Sequence, residues 1–147
     1  MLPMLMIQKT LSRLSPGILT SAVTIMILWL TLAPHPLPET DVTMFPHADK
    51  VVHIMMFGGL VFAMVVDREL WRNRRYQQSG RLPRKGLGSL LCFVAVATLL
   101  GGVIELLQGW MGMGRGCDPA DFFADGAGAT LSAMVSPRVA SVLLGCR

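Results

Sequence analysis

The chain has 147 residues, of which 52% are hydrophobic and only 15% are charged. This composition is too apolar and too poor in charge for an ordinary soluble domain, so it predicts a small integral membrane protein. The net charge of +4 does not indicate nucleic-acid binding, because the basic residues concentrate in one stretch between apolar segments. The three cysteines are far apart and form neither a disulfide framework nor a CxxC metal motif.

The first apolar segment covers residues 17–33 and follows a short basic segment at residues 1–16. As a helix it would be about 25 Å long at about 1.5 Å per residue, close to a hydrocarbon core of about 30 Å. A cleaved signal peptide is the alternative, but its apolar region is usually only about 7–15 residues long, and Pro34 stands where cleavage would occur. We therefore predict an uncleaved transmembrane helix.

Three more apolar segments predict three more transmembrane helices, at residues 51–66, 88–110 and 121–137. The last should end at Pro137, because proline interrupts helical hydrogen bonding. Residues 17–137 would then form one membrane domain, and residues 138–147 a C-terminal tail. Within this tail, residues 139–146 could be either a short extension of the last helix or an interfacial helix.

The basic residues predict which helix ends face the cytoplasm. Residues 67–85, a predicted loop between the second and third helices, hold seven of the thirteen Lys and Arg residues. Cytoplasmic loops are enriched in Lys and Arg, so this loop and both termini should be cytoplasmic. Residues 35–49 and 110–120 would then face outside. The predicted fold is an all-α bundle of four transmembrane helices.

In this topology, nine polar side chains gather near the outer ends of the last three helices. They are Asp49, Lys50, His53, Glu105, Gln108, Arg115, Asp118, Asp121 and Asp125. A charged group at mid-bilayer costs about 2.5–3.5 kcal/mol, so groups kept together on one side are expected to partner one another or to bind a ligand. The guanidinium of Arg115 would be held by Glu105 or Asp121.

Several of these residues also have a purely structural explanation. His53 and Gln108 are polar side chains of the kind that hydrogen-bond between helices. Asp118 before Pro119 is the pattern of a helix N-cap followed by proline at the first helical position. The set as a whole, more than any single member, favours a functional site.

Spaced motifs carry a family resemblance. They are D-K-x-x-H-x-x-x-F-G at residues 49–58, E-x-x-Q at residues 105–108 and R-x-x-D-x-x-D-x-x-x-[ND]-x-x-G at residues 115–128. The chain resembles the VanZ-like family over residues 20–137. These are small bacterial membrane proteins named for a factor associated with resistance to teicoplanin. Asparagine is common in that family where this chain has Asp125.

The resemblance implies a multi-pass protein of the bacterial cytoplasmic membrane with a role in the cell envelope, and three hypotheses stay open. In the first, no reaction is assigned to the chain. Its outer polar site binds an anionic lipid, a peptidoglycan precursor or a partner protein through Lys50 and Arg115. In another, the chain is a structural subunit of a membrane complex. A nucleic-acid partner is not expected.

The remaining hypothesis is a membrane enzyme that acts on a lipid-linked phosphate or carboxylate. Its candidate catalytic residues are His53, as a general acid/base held by Asp49, and Glu105. No organic cofactor is predicted. Glu105, Asp121 and Asp125 are weak candidates for a divalent cation, and their oxygen ligands would favour magnesium, calcium or manganese over zinc.

Overall fold

The structure is a computed structural model, and it describes residues 10, 13–33, 47–81, 86–112 and 118–144. The helices with defined bounds are α1 (Ile18–Leu32), α2 (Ala48–Ser79), α3 (Leu87–Met111) and α4 (Pro119–Leu144). The described ranges contain no strand, so the predicted all-α class is confirmed.

Three of these helices, α2, α3 and α4, are long and apolar enough to cross a membrane. Helix α1 is apolar but shorter, with 15 residues. Together they fit a helical bundle in a membrane, as the composition predicts. Many large apolar side chains are exposed on the bundle, including Trp110 and Phe123, which suits contact with lipid.

Glycine and proline set the ends of α1 close to where the sequence predicts them. Gly17 has a φ of 98°, in the left-handed region that favours glycine, so it turns the chain into the helix that starts at Ile18. At the other end, Ala33 is extended, as expected for the residue before Pro34.

The prediction of a loop at residues 67–85 is wrong for residues 67–79, because α2 continues to Ser79. The first charged residues after the apolar segment stay in the helix. Glu69 and Arg72, three residues apart, form a buried ion pair on one helix face. The helix ends at Gly80, which has a φ of 67° and donates its N–H to the Tyr76 carbonyl.

Helix α4 likewise continues past its predicted end at Pro137 to Leu144. The predicted helix end at Pro137 is therefore wrong, and residues 138–144 are the short extension that was one of the two alternatives for the tail. Ser136 and Ala140 on either side of Pro137 are buried, so the packed face of α4 continues through the proline. Burial of this face offsets the hydrogen bond that proline removes.

Helix α2 is the centre of the bundle and packs most extensively against α4. Its core residues include Phe57, Leu60, Val61 and Val65. The two helices touch through their backbones at Gly128, where a Cβ atom would collide with the backbone of Ile54. This contact requires glycine, and it brings the start of α2 beside the first turns of α4.

Candidate functional site at one end of the bundle

The beginnings of α2 and α4 and the end of α3 meet at one end of the bundle. Seven of the predicted residues meet there, and we call them the polar site: Asp49, Lys50, His53, Glu105, Asp118, Asp121 and Asp125. Arg115 lies outside the described residues, so its contact with Glu105 or Asp121 stays a prediction. Gln108 makes a separate contact, described below.

Lys50 connects α2 to the start of α4. Its Nζ donates hydrogen bonds to Asp49 Oδ2 at 3.0 Å, to Asp118 Oδ2 at 2.8 Å and to Asp121 Oδ1 at 3.0 Å. An ammonium group has three hydrogens, so these carboxylates occupy its full donor capacity.

Asp118 acts both as a helix cap and as a partner of Lys50. Its Oδ1 accepts the backbone N–H of Ala120 at 2.8 Å, and Pro119 is the first residue of α4, so the N-cap interpretation is confirmed. The hydrogen bond from Lys50, and then that from Ala120, lowers the pKa of the Asp118 carboxyl below its usual value. A lowered pKa means that this interaction is present at neutral pH and weakens as the pH falls through that pKa.

The prediction that Asp49 holds His53 is wrong. His53 Nδ1 lies 2.8 Å from Oδ1 of Asp125, which is fully buried, whereas the Asp49 carboxylate lies on Lys50. Spacing of four residues makes Asp49 and His53 neighbours on α2, but the imidazole faces α4 instead. Because Nδ1 is occupied, Nε2 is the ring nitrogen left towards Asp121, whose Oδ2 is 3.9 Å away.

Glu105 enters the same site from α3. Its Oε2 accepts the backbone N–H of Asp118 at 3.0 Å, which links the end of α3 to the start of α4. Glu105 is only 3% exposed, and its Oε1 has no hydrogen-bond partner among the described residues. Asp125 Oδ2 is also buried and also has no hydrogen-bond partner among the described residues. Buried acceptors without partners are costly, so each of these oxygens calls for a donor or a cation that the described residues do not supply.

Gln108 has the structural role considered for it. Its Nε2 donates to the Thr31 carbonyl at 2.9 Å and links α3 to α1.

The geometry also changes the candidate metal ligands. One ligand atom each from His53, Glu105 and Asp121 lie within 4.8 Å of one another. The sequence-based set had Asp125 in place of His53, but Asp125 lies behind the imidazole. A second group of three, Asp49, Asp118 and Asp121, is more exposed.

Sequence reasoning missed a second polar cluster, near Asp67 on α2. Asp67 is buried, and its Oδ2 accepts hydrogen bonds from Thr20 N at 2.8 Å and Thr20 Oγ1 at 2.7 Å. Glu69 pairs with Arg68 at 2.9 Å and with Arg72 at 2.6 Å. The signal in the sequence is two acidic residues within a basic stretch. The Thr20–Asp67 hydrogen bonds attach α1 to α2 about 25 Å along the helix from the polar site, at about 1.5 Å per residue.

Comparison with known proteins identifies the family. A family model described as VanZ/LLP1 matches residues 12–140, a range that contains the whole polar site. No curated protein and no solved structure matches the chain. The match covers most of the sequence and confirms the resemblance carried by the motifs. The chain is therefore a helical membrane protein that belongs to the VanZ/LLP1 family.

Proposed function

We propose that the polar site binds the anionic headgroup of a lipid or lipid-linked envelope precursor at the outer surface of the bacterial cytoplasmic membrane. One observation carries this proposal: five carboxylates, a lysine and a histidine from three helices converge at one end of an apolar bundle. Ionisable groups are expensive in such a bundle, and apolar packing would stabilise it at least as well.

Solvent exposure decreases across the polar site, from an exposed edge, which we call the rim, to a buried base, which we call the floor. At the rim, the side chains of Asp49, Asp118 and Lys50 are 57%, 44% and 25% exposed. At the floor, Glu105 and Asp125 are buried. A headgroup could therefore contact the rim while its acyl chains remain beside the apolar helices, as expected for a lipid ligand.

Lys50 is the cation that the described residues offer to an anion, but its three hydrogens are already taken. An anionic group must displace one of the three carboxylates or bind together with a cation. Asp49 is the most exposed of them and the simplest to displace. Arg115 belongs to the matching motif and is proposed as a second anion contact.

The same proposal includes the orientation of the bundle. The positive-inside rule puts residues 67–85 and both termini in the cytoplasm, so the polar site faces outward. Envelope precursors on the outer leaflet could then reach it.

Native mass spectrometry of the purified protein, titrated with phosphatidylglycerol, tests headgroup binding. We expect Lys50→Met to weaken lipid binding at least tenfold, because the site loses its described ammonium. Asp49→Asn should strengthen binding, because it removes a negative charge beside Lys50 and leaves a weaker, neutral acceptor for the anion to displace. Arg75→Met is the matched control: it removes one exposed positive charge at the other end of α2 and should leave binding unchanged.

Opposite effects of the Lys50 and Asp49 substitutions support the site even if one variant is less stable. Equal lipid binding by wild type and both variants would contradict the proposal. So would an equally large loss in Arg75→Met, because it would place binding on the basic end. Competition by inorganic phosphate shows whether the headgroup alone is recognised or whether the lipid chains are required.

The contact between His53 and Asp125 favours a second candidate function, an enzyme acting on a lipid-linked phosphate. A carboxylate that fixes one imidazole nitrogen and leaves the other free is the arrangement of a general acid/base. In this candidate Asp125, and not Asp49, positions His53. Phosphate release from a lipid-linked diphosphate by wild type but not by His53→Gln would support it, and equal release by His53→Gln would reject it.

A further inference from the structure

We propose that one divalent transition-metal ion binds between His53 Nε2, Glu105 and Asp121, at the floor of the polar site. One ligand atom from each residue lies within 4.8 Å of the other two, and Nε2 is 3.9 Å from Asp121 Oδ2. Bonds of about 2.0–2.2 Å hold ligand atoms up to about 4.4 Å apart. Small side-chain rotations are therefore enough to close the three ligands around an ion.

An oxygen of Glu105 without a hydrogen-bond partner is independent evidence for a bound ion at this position. The side chain is almost completely buried, and its Oε1 has no partner among the described residues. A carboxylate oxygen in this condition costs free energy unless a cation or a donor reaches it. An ion between Glu105, His53 and Asp121 would satisfy this atom.

All three ligands are oriented in the same way, with one atom held and another left free to coordinate. Oε2 of Glu105 accepts the Asp118 N–H, and Oδ1 of Asp121 accepts from Lys50. Asp125 holds Nδ1 of His53. A carboxylate behind a histidine is the usual outer partner of a metal-bound imidazole, because it fixes the ring and makes the other nitrogen a better ligand.

The ligand set favours a particular class of ion. One imidazole nitrogen with two carboxylate oxygens suits manganese or zinc better than calcium or magnesium, which prefer oxygen alone. Three protein ligands leave at least one coordination position for an external oxygen. The inference depends only on these side chains and not on headgroup binding, so either can fail without the other.

Titration of the full-length protein with Mn²⁺, after chelator treatment in lipid-free detergent, tests the site. We expect one ion per chain and, in Glu105→Gln, affinity at least tenfold weaker. Glu69→Gln is the matched control, because Glu69 is an equally buried carboxylate in the cluster near Asp67. It should bind Mn²⁺ as wild type does.

Pulsed electron paramagnetic resonance of the Mn²⁺ form should detect a coordinated imidazole nitrogen, and His53→Gln should remove that signal. If His53→Gln does not fold, the double variant His35→Gln/His47→Gln replaces it in the test. His53 is then the one histidine left of the three in the chain, so the nitrogen signal should persist.

Three results would overturn the inference: no binding at millimolar Mn²⁺ or Zn²⁺, a bound ion without a nitrogen signal, or full affinity in both Glu105→Gln and His53→Gln. The last result would place the ion at the more exposed group of Asp49, Asp118 and Asp121.

Discussion

Asp125→Leu should destabilise the protein by about 3 kcal/mol or more, because the cost of leaving a buried polar group without its partner, about 1–3 kcal/mol, adds to the cost of overpacking, about 1–3 kcal/mol. Asp125 is fully buried, and its Oδ1 is the partner of His53 Nδ1. Leucine would leave that nitrogen buried without an acceptor. It would also add bulk beside Gly101, where even a Cβ atom would collide with the present carboxylate.

Asp125→Asn should cost much less, about 1 kcal/mol, the net value of a typical hydrogen bond. The amide has the shape of the carboxylate, and its oxygen can still accept from His53. Chemical unfolding in detergent compares the two variants. A loss in Asp125→Asn as large as that in Asp125→Leu would show that the negative charge, and not the acceptor, holds His53.

Gly128→Ala should also be strongly destabilising, by about 3 kcal/mol or more, at or beyond the upper end of the usual cost of overpacking. The new Cβ atom would collide with the backbone of Ile54 in α2. A flexible side chain could move away, but a helix backbone cannot move without separating α2 from α4. Because His53 precedes Ile54, the same separation should weaken its contact with Asp125.

Gly59→Ala is the matched control for this substitution. It lies on the same stretch of α2, and a Cβ atom there would meet nothing within 4 Å. Alanine is also a better helix former than glycine, so Gly59→Ala should change stability by less than about 1 kcal/mol. Equal melting temperatures for the two alanine variants would mean that α2 and α4 are not in backbone contact.

The helix ends that could be predicted are those marked by glycine or proline. Residues 17–33 and 88–110 were predicted for α1 and α3, and the structure has Ile18–Leu32 and Leu87–Met111. The end of α2 at Ser79 is not predictable from the first charged residues after the apolar segment, because charged side chains do not end a helix. A helix can leave the apolar layer without changing its backbone, and Glu69 and Arg72 neutralise each other within it.

The members of the polar site could be predicted more reliably than their contacts. Depth in the bilayer and helical spacing are enough to predict that His53, Glu105 and Asp121 lie at the same end of the bundle. They could not identify the partner of His53, because sequence spacing describes neighbours on one helix only. The rotation of α2 against α4 selects Asp125, and the close contact at Gly128 sets that rotation.

Labelling of single cysteines in intact spheroplasts tests most directly whether the polar site faces outward, as envelope-precursor binding requires. In a cysteine-free background, Ala120→Cys would probe the polar site and Gln78→Cys the basic end, since both positions are exposed. With an impermeant thiol reagent, we predict labelling of Ala120→Cys, and labelling of Gln78→Cys only after lysis. Labelling of Gln78→Cys in intact spheroplasts, with Ala120→Cys protected until lysis, would place the site in the cytoplasm and contradict the proposal.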